Sequence, residues 1–391
     1  MALVVIQFVI IVLVVFIAIF NVEAQRSRNK IQNYETKQQG QWSVTETNKG
    51  RAKKGELIFE DEFINFDLNT WQHEITAGGG GNWEFQLYHN NRSNSYVEYG
   101  KLYIKPTLTS DKYGESFLTS GILDLNGATP ADSCTGAQWS GCRKEGSSVN
   151  IINPVMSARI RTVNSFSFKY GVVKVRAKLP AGDWLWPAIW LMPKNQQYGT
   201  WPASGEIDIM ESRGNLNLRN ARGLNIGPEQ VGSTLHYGPF FPMNGWDKAH
   251  FEKNLLKDQG FDKNFHEYGL EWTPDHIKFL VDDEVIGTVA PTDKGGFWEL
   301  GGFGNNVDNP WKYSENQKMA PFDQQFYLIM NLAVGGTNSY FQDNLPNSKK
   351  PWRNSSPLAA LDFWNSRSDW LPTWDGENAA LQVDYVRVWA L

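Results

Sequence analysis

Sulfur is scarce in this 391-residue chain: cysteine occurs twice, as Cys134 and Cys142 in ADSCTGAQWSGC. That spacing fits neither a C-x-x-C redox pair nor a zinc ligand set. In an oxidising compartment it predicts a small loop disulfide. Excess positive charge is also missing. Lys and Arg number 37 against 42 Asp and Glu, a net charge of −5, so nothing in the composition favours a nucleic-acid partner. No stretch carries a long 3.6-residue apolar period, and no repeat of fixed length occurs. The glycine-rich stretches 78–81 and 301–304 are not followed by Lys-Ser or Lys-Thr, which argues against a phosphate-binding loop.

Apolar residues make up 41% of the chain, enough for a sizeable core. Tryptophan is in excess, with 17 copies. So many large rings, each with an N–H that must find an acceptor, line either a core or a flat ligand such as a sugar ring. The first residues, MALVVIQFVIIVLVVFIAIF, are apolar and end at Val22-Glu23-Ala24. Residues 1–24 therefore read as a signal peptide, with an uncleaved anchor as the alternative because the run is long enough to span a bilayer. Both readings put the remainder outside the cytosol, and cleavage predicts a secreted protein with no membrane attachment. Residues 25–55 are polar, lack an apolar period and read as a flexible linker, so the folded part is expected over 56–391. Two N-x-S/T sequons mark Asn91 and Asn354 as candidate glycosylation sites.

From residue 56 onward, short alternating or apolar runs are separated by Gly, Pro, Asn and Asp, as in KLYIKP (101–106), FYLIMNLAV (326–334) and LQVDYVRVWA (381–390). In YGVVKVRAKLP, Val173, Val175 and Ala177 alternate with Lys174, Arg176 and Lys178, as on a half-buried strand. IKFLVDDEVIGTV predicts a hairpin turning at Asp282-Asp283. The fold class is all-β, a sandwich or barrel with long loops.

One strand departs from this economy. GEIDIMES carries Glu206, Asp208 and Glu211 among Ile207, Ile209 and Met210. Residues i and i+2 share a strand face, so Glu206 and Asp208 point together and strict alternation sends Glu211 to the other side. A β-bulge at Ile209-Met210 would return it. The two glutamates would then sit like i and i+4, about 13 Å apart at Cα. Leaning inward, their carboxylates could approach to roughly 5–6 Å, the separation of a retaining glycosidase. Solvated acids on an edge strand, or a cation site, are the alternatives.

The stretch WPASGEIDIMES resembles the signature of glycoside hydrolase family 16, in its laminarinase (endo-β-1,3-glucanase) branch, which includes invertebrate glucan-recognition proteins. LIFEDEF (57–63), SARIRT (157–162), LWPAIWLMP (185–193) and VDYVRVW (383–389) follow the family order, so the resemblance covers residues 56–391. It implies a concanavalin A-like β-jelly-roll sandwich with a cleft on a concave sheet. It implies Glu206 as nucleophile, Glu211 as acid/base and Asp208 as helper. It implies Trp186, Trp190 and Trp201 as sugar-stacking rings, with Trp190 equally readable as core. Arg159, His236 and Asn331 match polar cleft positions, with His236 equally readable as a structural histidine. A structural calcium near Glu60, Gly100 and Asp384 is a further implication, although Asp384 could equally serve a salt bridge; catalysis itself would need no cofactor. The long inserts and the Cys134–Cys142 loop depart from the family pattern.

The expected function is that of a secreted, monomeric retaining endo-glycosidase acting on β-1,3-glucan. The alternative is a non-catalytic glucan or lipopolysaccharide recognition protein of innate immunity. A mixed-linkage glucan or sulfated galactan is a weaker substrate reading.

Overall fold

A computed structural model describes residues 41–127 and 133–391. The residues expected to form a signal peptide, and the first part of the expected linker through residue 40, lie outside the described residues. Among those described, no helix is long and apolar enough to cross a membrane.

Two large antiparallel sheets, of ten and eight strands, build the molecule. The ten-stranded sheet runs from His250–Asn254 through Gln230–His236, Glu206–Glu211 and Leu185–Pro193 to Phe326–Val334, and continues beyond it. The eight-stranded sheet centres on Gly171–Lys178, flanked by His266–Trp272 and Leu381–Trp389. This is the expected jelly-roll sandwich. Alternation decides which side chains meet between the sheets. Val173, Val175 and Ala177 are buried from one sheet, and Ile189, Leu191, Ile207, Leu328 and Met330 from the other, in one continuous core. Lys174 and Arg176 point outward, where Lys174 pairs with Glu267 and Arg176 with Asp384. The predicted hairpin is present: Ile277–Val281 pairs with Glu284–Val289, and Asp282 and Asp283 take positive φ at the turn.

The tryptophan excess divides between two uses. Trp71, Trp272, Trp311 and Trp370 are fully buried. Their indole N–H groups donate to Asp61, Phe322 O, Ala203 O and Phe363 O, so none of these four indole donors is stranded. Others face the cleft or solvent.

The folded part starts earlier than residue 56. Trp42–Thr47 and Gly50–Lys53 form a hairpin, and Glu46 of this hairpin pairs with Lys169 at the edge of the ten-stranded sheet. The linker reading fails over these residues for a physical reason. The hairpin's buried positions are Ser43, Thr45 and Ala52, small or polar residues that give no apolar period. Ser43 Oγ satisfies itself on Thr45 Oγ1 at 3.0 Å.

Candidate active site

The strand Glu206–Glu211 lies inside the sheet, between Leu185–Pro193 and Gln230–His236. Along one neighbour the partners are Trp190 for Asp208 and Ile189 for Met210, so Ile209 is an extra residue. Along the other, Asp208 faces Thr234 while Glu211 faces Gly232. The predicted bulge at Ile209-Met210 is therefore present in both ladders. Ile207, Ile209 and Met210 are all buried in the sandwich core, and the three carboxylates share the outer face.

Each glutamate receives an indole N–H. Trp201 Nε1 donates to Glu206 Oε2 at 2.5 Å, and Trp186 Nε1 donates to Glu211 Oε1 at 2.9 Å. His236, opposite Glu206 in register, brings Nε2 to 3.3 Å from Asp208 Oδ2. That oxygen is buried, and His236 is the group that faces it. Glu206, Asp208 and His236 place one ligand atom each within 4.8 Å of one another, the one such cluster of His, Cys, Asp and Glu found among the described residues.

Burial governs the electrostatics. It raises the Asp208 carboxyl well above the usual range, and the adjacent Glu206 adds to the shift. Glu211 is raised as well, again first by burial, although His236 and the Trp186 N–H pull the other way. For His236 burial alone would lower the pKa, but Asp208, Glu206 and Glu211 together push it up to about 9. Asn244 opposes protonation of that ring. Its Oδ1 accepts the backbone N–H groups of Tyr237 (3.3 Å) and Trp246 (3.2 Å), which aims Nδ2 at His236 Nδ1 at 2.8 Å. Three acidic groups, Asp208, Glu206 and Glu211, act on the imidazole against this single amide, and they set the direction of its shift.

The profile of Glycosyl hydrolases family 16 matches residues 134–299. Over 342 residues, the chain is 53% identical to the beta-1,3-glucan-binding protein of Penaeus monodon, covering 86% of this chain and 90% of that one. The chain belongs to glycosyl hydrolase family 16. It is 38% identical to beta-1,3-glucan-binding protein 1 of Galleria mellonella, covering 88% of this chain and 65% of the relative. Its identity to the glucan endo-1,3-beta-glucosidase A1 of Niallia circulans is 34%, covering 85% of this chain and 37% of the relative. Among solved structures, the endo-beta-1,3-glucanase of Pyrococcus furiosus superposes with a TM-score of 0.53 at 26% identity, covering 86% of this chain and 94% of that one.

Within this family 16 cleft, the remaining expected residues fall into place unevenly. Trp190, Asn331 and Arg159 form one polar floor. Trp190 Nε1 donates to Asn331 Oδ1 at 2.7 Å, and the Arg159 guanidinium lies 5.2 Å from the Trp190 ring centre. Trp201 sits near His236 and the exposed Phe241. Trp186 differs from a free stacking platform. It is 7% exposed, and Tyr340 lies parallel over its ring at 3.9 Å. Its N–H is spent on Glu211, while Tyr340 in turn lies beneath Arg213 at 4.0 Å.

Sequence reasoning missed Tyr340, Asn244 and the segment GNWEFQLYHN. Within that segment Glu84 and Tyr88 converge on Arg159, with Glu84 Oε2 at 3.7 Å and Tyr88 Oη at 3.4 Å from Nη2, and Tyr88 also accepts from Asn331 Nδ2 at 3.1 Å. The alternation of Glu84, Gln86 and Tyr88 with Phe85 and Leu87 was the available signal.

Asp384 is held by Arg176, and Glu60 lies 3.2 Å from Arg387, so both carboxylates already have a cationic partner. Gly100 has φ +66°, the left-handed conformation of a turn. Cys134 and Cys142 are bonded, with Cα atoms 5.6 Å apart. Of the sequons, Asn354 spends its Nδ2 on Phe341 O at 3.1 Å, whereas Asn91 engages its turn through Oδ1.

Proposed function

We propose that the chain is a secreted retaining endo-glycosidase that hydrolyses β-1,3-glucan. The observation that carries this reading is the bulge, which puts Glu206 and Glu211 on one face and gives each an indole N–H. Glu206, its anion supported by Trp201, attacks the anomeric carbon. Glu211, whose raised pKa favours the protonated form, gives its proton to the glycosidic oxygen as that C–O bond breaks. A glycosyl ester on Glu206 results. Glu211, now a carboxylate, takes a proton from water, which attacks the same carbon and frees Glu206. Asp208 and His236 set the charge around the nucleophile. The names of the relatives support the glucan as ligand, and the apolar first residues together with the disulfide support secretion.

A second reading follows from the relative at 53% identity, which is named as a glucan-binding protein. On that reading the cleft recognises glucan without turnover. The same assay separates the two. Purified protein is incubated with laminarin, lichenan and agarose, and the products are read. Release of laminari-oligosaccharides, lost in Glu206→Gln while laminarin binding persists, supports the hydrolase. Binding without products from any of the three polysaccharides sinks it. Products from lichenan or agarose in place of laminarin would reassign the substrate.

A further inference from the structure

The loop closed by Cys134 and Cys142 is fixed along its length to residues 75–77. Ile75 N–H donates to Thr135 Oγ1 at 2.9 Å, Thr76 Oγ1 to Gly136 O at 2.7 Å, and Ala77 N–H to Gly141 O at 2.8 Å. The glycine run permits this approach: a Cβ on Gly78 would lie 2.7 Å from Gln138 O. The loop then presents Trp139 at φ +52°, and the next turn presents Trp83 at φ +55°. An L-residue held in this region costs on the order of 1–2 kcal/mol. Burial does not offset that cost, because Trp83 is 58% and Trp139 50% exposed. Strain of this kind, kept on exposed residues, points to a use.

The two rings lie 6.1 Å apart, tilted by 58°. They border a groove of about 730 Å³, lined also by Glu84, Arg143, Lys144 and Asn150. That volume is typical of ligand sites. Exposed indole faces beside hydrogen-bonding groups suit a pyranose, whose C–H face is apolar and whose rim is hydroxylated. Glu84 lines the groove and lies 3.7 Å from Arg159, which packs on Trp190, so the groove and the cleft floor share a wall.

We propose that this groove is a subsite for additional sugar residues of the β-1,3-glucan chain lying in the cleft, with Trp83 and Trp139 as its stacking faces. The proposal rests on the glucan reading of the cleft but not on turnover.

The test is the laminarin affinity of Trp83→Ala, Trp139→Ala and Trp139→Phe, measured by titration calorimetry in the Glu206→Gln background. Hydrolysis is assayed separately on the otherwise unchanged protein. The Kd should rise roughly three- to tenfold in each alanine variant. Trp139→Phe should recover most of the affinity, and melting temperatures should stay level. Unchanged affinity in both alanine variants overturns the subsite, as does a loss that Phe does not rescue and that follows a fall in melting temperature. Weakened binding in a protein without hydrolysis removes the hydrolase reading and leaves the subsite standing. Hydrolysis with unaltered affinity does the reverse. A protein that does not bind laminarin at all removes both.

Discussion

Trp186 Nε1 stands 2.9 Å from Glu211 Oε1 while the face of the same indole is covered by Tyr340 at 3.9 Å. The ring is therefore fixed from one side and spends its polar edge on the candidate acid. Trp186→Phe keeps an aromatic ring against Tyr340 and removes the N–H together with part of the buried ring area. A hydrogen bond to a charged group contributes about 1.5–3 kcal/mol, so kcat/KM on laminarin should fall roughly ten- to hundredfold. That N–H also lowers the Glu211 pKa. Its loss should move the alkaline limb of the pH–rate profile upward, which pH-dependent initial rates would reveal. A fall in rate with the alkaline limb unmoved would assign Trp186 to packing alone.

Much of this site was legible in advance because its chemistry lay in one short strand. The bulge followed from a conflict between period 2 and three carboxylates, and Ile207, Ile209 and Met210 settled which face was core. Residues whose contribution depends on a distant loop gave no such signal. Tyr340 reaches Trp186 only because the chain folds back after Val334, and Asn244 reaches His236 across a turn. The hairpin over Trp42–Thr47 and Gly50–Lys53 escaped because its buried face is Ser43 and Thr45, which look like linker composition.

Asp208 should reveal the cost of its own charge. Its folded-state pKa lies above the unfolded value, so the native state binds more protons between the two. Stability therefore falls as pH rises from the unfolded carboxylate range through the folded pKa. Asp208→Asn removes the buried anion. It should be more stable than the parent at neutral pH by roughly 1–2 kcal/mol, the usual scale when a strained functional group is relieved. The advantage should vanish below about pH 4, where both forms are uncharged. Urea melts at pH 4 and 7 test this, and equal differences at both values would refute it. Activity should drop despite the added stability.

His236 should titrate late. With its pKa pushed up to about 9, the imidazolium contributes stability that is fully present below the unfolded pKa of about 6.5 and is lost as pH rises through 9. Nitrogen-detected NMR of labelled histidine would follow the ring directly. Asn244→Asp replaces the donor facing Nδ1 with an acceptor, so it should move that titration higher still. A His236 already neutral at pH 7 would mean that the Asn244 amide, rather than the carboxylates, sets its state.

The bulge itself can be removed without changing which face Glu211 occupies. Asp208 pairs with Thr234 and Glu211 with Gly232, so three steps on one strand match two on the other. Deleting Ile209 leaves Glu206, Ile207, Asp208, Met210 and Glu211 in plain alternation, with the carboxylates still outward and Met210 inward. Both flanking registers are kept. The deletion takes one large apolar side chain from the core, a loss of about 2–5 kcal/mol for comparable truncations. The melting temperature should fall clearly. Hydrolysis should nonetheless survive within about a hundredfold, since misplacement of a catalytic group by an ångström costs about that much. The comparison to make is between the deletion and Glu206→Gln on laminarin. A folded deletion variant as inactive as Glu206→Gln would show that the bulge aims Glu211 as well as choosing its face.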